Sequence, residues 1–198
     1  MHPLLNKKSG PITRRGFLVA AAAVAGNVGS ARADDPLPDA IDVMTRIAPQ
    51  APPALTFTDV SGRRLSLADY AGHALVVNLW ATWCGPCVEE LPTFDAAAPA
   101  LRRHGVLILP ISVDLDGAAA VTPFFAAHHI SALPVLLNDN GSDMQALSVA
   151  GIPATIVVNR AGEMIARLVG AADWSTPQTV AYLAGLGAKP PQGGFLPV

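Results

Sequence analysis

The sequence predicts an α/β domain with a mixed central sheet covered by helices on both faces. Three observations carry that prediction. Two long apolar runs, 75–80 and 106–113, read as strands buried on both faces, and each leads into residues at helical spacing. Two shorter apolar runs, 154–158 and 164–169, flank Asn159-Arg160-Ala161-Gly162, the composition of a hairpin turn. The 198 residues are 51% hydrophobic, enough for one ordinary core. With 17 Gly and 18 Pro the chain stays below the roughly 25% of Gly plus Pro that marks low-complexity disorder.

Residues 1–33 read as a leader. A basic start with Lys7, Lys8, Arg14 and Arg15, an apolar Ala-rich stretch over 17–28, and small residues in Ala31-Arg32-Ala33 are the three parts of a cleavable secretory signal. Gly26, Asn27, Gly29 and Ser30 leave the stretch short for a membrane-spanning helix, although uncleaved it would tether the chain to a membrane. Thr13-Arg14-Arg15-Gly16-Phe17-Leu18 resembles the twin-arginine export motif. Export places the chain in a bacterial periplasm, where disulfides form and persist. No acidic residue precedes position 34, so cleavage leaves 8 of the 13 basic residues against all 15 acidic ones, a formal charge of -7. A domain so acidic offers no electrostatic footprint to nucleic acid or to an anionic membrane surface.

The elements follow in order. Pro36, Pro38, Pro49, Pro52 and Pro53 make 34–53 an irregular lead-in with at most a helical turn or two over 41–47. Leu55-Thr56-Phe57-Thr58 and Arg64-Leu65-Ser66-Leu67 alternate around Ser61-Gly62, an N-terminal hairpin extension. The strand at 75–80 is interrupted only by Asn78, and 88–103 is a helix kinked by Pro92. A strand at 106–113, a helix at 118–129, a short strand at 133–138, a turn at Asn140-Gly141 and a short helix at 144–149 come next. The closing hairpin and a helix over 176–186 complete a domain spanning 54–188, with 189–198 a frayed tail. There is no internal repeat and no room for a second domain.

Trp83-Cys84-Gly85-Pro86-Cys87 holds the only two cysteines, directly after a buried strand and at the opening of a helix. There, unpaired backbone N–H groups and the helix dipole stabilise a thiolate, lowering the pKa of the first cysteine and making Cys84 the nucleophile. Cys87, one turn further in and more buried, is placed to attack a mixed disulfide on Cys84, the pairing that thiol–disulfide exchange requires. A zinc or copper site would need further ligands, and His2, His73, His104, His128 and His129 are scattered. A purely structural bridge is a poor use of the pair, because closing four residues removes little chain entropy. Adjacent on a helix, His128 and His129 read as solvated.

The segment from Asn78 through Leu79-Trp80-Ala81-Thr82-Trp83-Cys84-Gly85-Pro86-Cys87-Val88-Glu89-Glu90-Leu91 to Pro92 resembles the active-site segment of the thioredoxin superfamily, in its periplasmic TlpA and ResA-like branch. The resemblance covers about 54–186 and implies a thioredoxin-like fold. Gly151-Ile152-Pro153-Ala154-Thr155 resembles the family's cis-proline segment, which implies that Ile152 and Pro153 lie beside the disulfide and that Ile152 lends its backbone to a bound substrate strand. Trp83, Gly85 and Pro86 would complete that contact surface. Thioredoxins bury an acid where this chain has Asn78, which cannot titrate; TlpA-like relatives carry a helix glutamate, matched here by Glu90. Three residues after Cys87, Glu90 shares its side of the helix and either relays a proton or stands as an exposed carboxylate. Glu89 faces elsewhere. His73 reads as a loop residue, Trp80 as core, and Trp174 as a structural residue near the last helix.

The resemblance implies a periplasmic thiol:disulfide oxidoreductase, mainly a protein disulfide reductase, that needs no metal or cofactor beyond its redox-active Cys84–Cys87 pair. Apocytochrome c or copper-site assembly proteins would be its substrates, and a membrane-embedded thiol reductase its electron donor. Gly-Pro between the cysteines is the pair of reducing thioredoxins. Two alternatives are a disulfide-forming oxidant and a copper-delivering or chaperone-like binding module.

Overall fold

The structure, a computed structural model, describes residues 36–138 and 142–187. The leader expected at 1–33, the Asn140-Gly141 turn and the tail expected from 189 lie outside the described residues. In chain order the elements are α1 (Ala40–Val43), β1 (Thr45–Gln50), β2 (Thr56–Asp59), β3 (Arg64–Ser66), a 3-10 turn (Leu67–Tyr70), β4 (Ala74–Trp80), α2 (Gly85–Arg103) and β5 (Val106–Ser112). They continue with α3 (Ala118–Ala127), β6 (Leu136–Leu137), α4 (Ser142–Ala146), β7 (Ala154–Val158), β8 (Met164–Val169) and α5 (Pro177–Leu186).

The strands form one eight-stranded sheet in the order β1-β8-β7-β4-β5-β6-β2-β3. β4, β5 and β6 run parallel, and every other pairing is antiparallel, so the sheet is mixed as expected. β4 lies between β7 and β5 and is buried along its whole length, as its apolar run requires. Successive side chains alternate between faces. Ala74, Val76 and Trp80 enter the core beneath α2, α3 and α5, where Trp80 packs against Phe124 and Phe125. Leu75, Val77 and Leu79 enter the opposite core, closed by Phe57 and Leu65 of the hairpin, Tyr70 of the 3-10 turn and Leu147 after α4. By the same alternation Asn78 is the polar residue on the α2 face.

Three expectations need correction. The lead-in is not irregular: α1 and β1 occupy it, and β1 pairs with β8 at the sheet edge, Thr45 opposite Arg167. Exposed over nearly its whole length, β1 shows no alternation to read; what places it is the free edge of β8. The strand over 133–138 shrinks to Leu136–Leu137, because Pro134 has no N–H for a ladder. α2 begins at Gly85 and runs as one helix through both Pro92 and Pro99, ending at a glycine, Gly105, with φ 74°. His73 is, as expected, a loop residue directly before β4, and it is buried.

The N-terminal segment is tied in by specific bonds. Ala40 N–H donates to the Asp173 carbonyl at 3.0 Å, and Asp173 N–H donates to the Pro38 carbonyl at 2.8 Å. Asp39 caps α1 by accepting the Ile41 N–H at 3.2 Å, and the Thr179 hydroxyl of α5 donates to the same carboxylate oxygen. Asp39→Ala removes the cap and takes from the buried Thr179 hydroxyl the acceptor of its proton, leaving only the Ile41 N–H bonded to its oxygen. The expected cost is about 1–2 kcal/mol, read as a Tm lower by several degrees. An unchanged Tm would mean that α1 adds nothing to stability.

Candidate active site

The reactive segment forms where β4 ends. Ala81, Thr82 and Trp83 turn the chain out of the sheet, and Cys84 is the N-cap of α2. Gly85 and Pro86 occupy the first helical positions, where a proline's missing N–H costs nothing. The turn is fastened to the end of β5. Asp114 accepts the Thr82 N–H at 2.9 Å and the Thr82 hydroxyl at 2.6 Å, and Ser112 donates its hydroxyl to Asp114 at 2.8 Å. The loop carrying Trp83 is therefore held by a buried carboxylate.

Cys84 and Cys87 are joined in a disulfide, with S–S 2.11 Å and Cα atoms 5.3 Å apart. Cys84 is 6% exposed and Cys87 1%, the order that a nucleophile and a resolving thiol require. The Cys87 backbone N–H points at Cys84 Sγ, 3.3 Å away. In the dithiol state that donor and the dipole of a 19-residue helix both favour a Cys84 thiolate. Cys84 Sγ also lies 3.6 Å from the Ile152 carbonyl oxygen. The disulfide sulfur has no proton to donate, so this contact becomes a hydrogen bond only as a thiol.

The Ile152–Pro153 peptide is cis. Ile152 is half-buried and Pro153 buried, and the Pro153 carbonyl accepts the Gly170 N–H at 2.9 Å. Around the sulfurs, Gly85 and Pro86 are exposed and Trp83 is 69% exposed. Of the five residues expected to meet a substrate, Trp83, Gly85 and Pro86 adjoin the cysteines along the chain, and Ile152 approaches Cys84 Sγ through its carbonyl. Leu115, beside Asp114, is another large apolar side chain left exposed.

Glu90 is 1% exposed, so it is not a solvated helix carboxylate. One oxygen accepts the Trp174 indole N–H at 2.7 Å and the Ala172 backbone N–H at 3.1 Å. The other accepts the Asn78 side-chain amide at 3.2 Å, and that amide also donates to the Thr155 hydroxyl at 2.9 Å. Burial pushes the Glu90 carboxyl up from its ordinary 4.5 to about 7, against the pull of the hydrogen bonds from Trp174, Ala172 and Asn78. The titratable acid beneath the helix therefore comes from α2, while the sheet position below it is an amide. Glu89 is exposed.

Sequence reasoning missed three parts of this site: Asp114, Thr155 and the part played by Trp174. Asp114 and Thr155 follow an apolar run and a proline, contexts in which a small polar residue has many uses. Trp174 is buried, as a structural residue is, but its indole also binds Glu90. Among the described residues no three His, Cys, Asp or Glu side chains group to hold a metal ion, and no helix is long and apolar enough to cross a membrane.

Comparison with known proteins gives a concordant result. The Redoxin family profile matches residues 33–183. The thiol-disulfide oxidoreductase ResA of Bacillus thuringiensis subsp. konkukian is 27% identical over 118 residues, 60% of this chain and 67% of that protein. A thioredoxin family thiol:disulfide interchange protein of Chlorobium tepidum superimposes with TM-score 0.58 at 24% identity, covering 71% of this chain and 100% of that one. A secreted thiol-disulfide isomerase of Corynebacterium glutamicum gives TM-score 0.60 at 17% identity, covering 72% and 92%. Those two structures speak to the fold, which is thioredoxin-like.

Proposed function

The chain belongs to the Redoxin family, among the TlpA/ResA-like members of the thioredoxin superfamily, and from that premise we propose that this thiol-disulfide oxidoreductase acts mainly as a protein disulfide reductase. One observation carries the chemistry: the Cys84 sulfur sits at a helix N-terminus facing the Cys87 N–H and beside the Ile152 carbonyl. The Cys84 thiolate attacks one sulfur of a substrate disulfide, forming a mixed disulfide and releasing the other sulfur as a thiolate that takes up a proton. Cys87, giving its proton to the Glu90 carboxylate, then attacks Cys84 Sγ and releases the second substrate thiol. Two electrons pass to the substrate, and the Cys84–Cys87 disulfide remains.

The Gly-Pro pair between the cysteines supports the reducing direction. The leader read in residues 1–33 supports work outside the cytoplasm, in a bacterial periplasm. There a membrane-embedded thiol reductase restores the dithiol, and the substrates are cysteines of apocytochrome c or of copper-site assembly proteins. The exchange needs no metal or cofactor beyond the disulfide. Substrate docks as an extended strand on the Ile152 backbone, with Trp83 covering the apolar side.

The deciding measurement is the reduction potential of the purified protein in defined thiol buffers. A value near about -270 mV, the thioredoxin end of the scale, supports the reductase, whereas one near about -120 mV makes the protein a disulfide donor. Trp83→Ala tests the docking surface. It should raise KM for a protein disulfide about tenfold while leaving the rate with a small aromatic disulfide unchanged. Equal losses on both substrates would place Trp83 in the chemistry instead.

A further inference from the structure

We infer that Trp174 is a positioning residue for Glu90, its indole N–H holding the carboxyl so that the loop before α5 sets where and when the exchange site takes up a proton. This rests on the reading of Glu90 as the proton-handling group. The geometry is specific. Trp174 is 0% exposed although it sits in a loop, and its ring stacks on Phe94 of α2, centroids 5.0 Å apart. Its backbone N–H donates to the Thr93 hydroxyl at 3.1 Å, and that hydroxyl donates to the Glu90 carbonyl at 2.7 Å. Trp174 thus grips the Glu90 turn of α2 by ring, backbone and indole.

Burial alone does not demand the indole bond. Trp80, equally buried, leaves its Nε1–H without a partner. In Trp174 the same group makes the shortest hydrogen bond to the Glu90 carboxyl. Together with Ala172 N–H it gives Oε1 two donors, so the proton that Glu90 takes up goes to Oε2, which faces the Asn78 amide. An amide can present an acceptor to that proton by rotating.

The groups around Glu90 leave the indole in control. Asn78 from β4 and Thr155 from β7 are neutral. Asp173, between the two donors, turns its carboxylate to Ser175, and Asp95 of α2 turns its own to the N–H groups of Ser131 and Ala132. On α2 the titratable neighbours are Cys84 and Cys87 once reduced, with Glu89 exposed. With the disulfide formed, the upward shift of Glu90 is burial opposed by the hydrogen bonds of Trp174, Ala172 and Asn78, Trp174 foremost.

Trp174→Phe keeps an aromatic ring against Phe94 and deletes the donor. In single-turnover reduction of a small disulfide, the Glu90-dependent limb of the pH profile should move up by about one pH unit. The infrared band of the protonated Glu90 carboxyl, identified by its loss in Glu90→Gln, should titrate upward in step. A limb absent in Glu90→Gln but unmoved in folded Trp174→Phe overturns this inference alone. A limb that survives in Glu90→Gln overturns it together with the reading of Glu90. Should Trp174→Phe fail to fold, the unmodified protein decides. Its Trp174 indole N–H resonance should titrate with the Glu90 midpoint and stop doing so in Glu90→Gln, and a resonance indifferent to pH overturns the inference.

Discussion

Replacing Cys84 by Ser should lower disulfide reduction by at least about three orders of magnitude, while replacing Cys87 by Ser should convert the protein into a trap. The two variants fail differently because the site is asymmetric. Cys84 sits at the N-cap of α2, where the helix N-terminus stabilises its thiolate, and a serine hydroxyl there stays protonated at neutral pH and is a poor nucleophile. Cys87 is sealed beneath it, so Cys87→Ser leaves the first attack intact and removes only the sulfur that resolves it. Mass spectrometry of Cys87→Ser mixed with a disulfide-bonded protein should show one covalent adduct per molecule, released by dithiothreitol. Adduct on Cys84→Ser instead would reverse the assignment of attacking and resolving cysteine.

Glu90→Gln should slow the resolving step and at the same time stabilise the fold at alkaline pH. Because burial raises the Glu90 carboxyl to about 7, the folded protein keeps a proton that the unfolded chain releases near 4.5. Between those values the native state binds more protons than the unfolded state, so stability falls as pH rises from about 4.5 to 7 and is level above that window. For a group this buried the loss amounts to about 3 kcal/mol. Gln keeps the acceptor for Trp174 and Ala172 without a charge to desolvate, so denaturant titrations should show little difference at pH 4 and a more stable variant at pH 8. The same variant should resolve mixed disulfides roughly a hundredfold more slowly, in line with the loss of a proton-transfer group. Parallel stability curves for the two proteins across pH 4–8 would mean that Glu90 ionises as freely in the fold as outside it.

How far the sequence discloses this site depends on whether the informative neighbour is local. Cys84, Gly85, Pro86 and Cys87 lie between a strand and a helix that can each be read from a few consecutive residues, and the architecture follows them closely. Glu90 could be assigned a side of α2 but not an environment, because what buries it comes from elsewhere. Its indole partner is 84 residues away, and the amide partner's second acceptor, Thr155, is 77 residues from Asn78. β1 stayed hidden for a related reason. Thr45–Gln50 has one partly buried position in six, one proline within it and two just after it, and its hydrogen-bonding partner lies beyond the whole redox segment. Ile152-Pro153 stood out only through family resemblance, since a proline ahead of a strand is otherwise ordinary.

The bonds between Pro38, Ala40 and Asp173 bear on maturation. Asp173 sits between the two residues that donate to Glu90, so the segment from Pro38 to Ala40 and the buried acid of α2 share one support. A protease that trimmed past Pro38 would leave both cysteines in place yet unhook one side of that support. Trimming as far as residue 54, where the apolar alternation begins, would also strip β1 from the sheet and bare the β8 edge to other strands. Seen from the N-terminal side, Pro38 is therefore the residue at which proteolysis begins to reach the support of the active site.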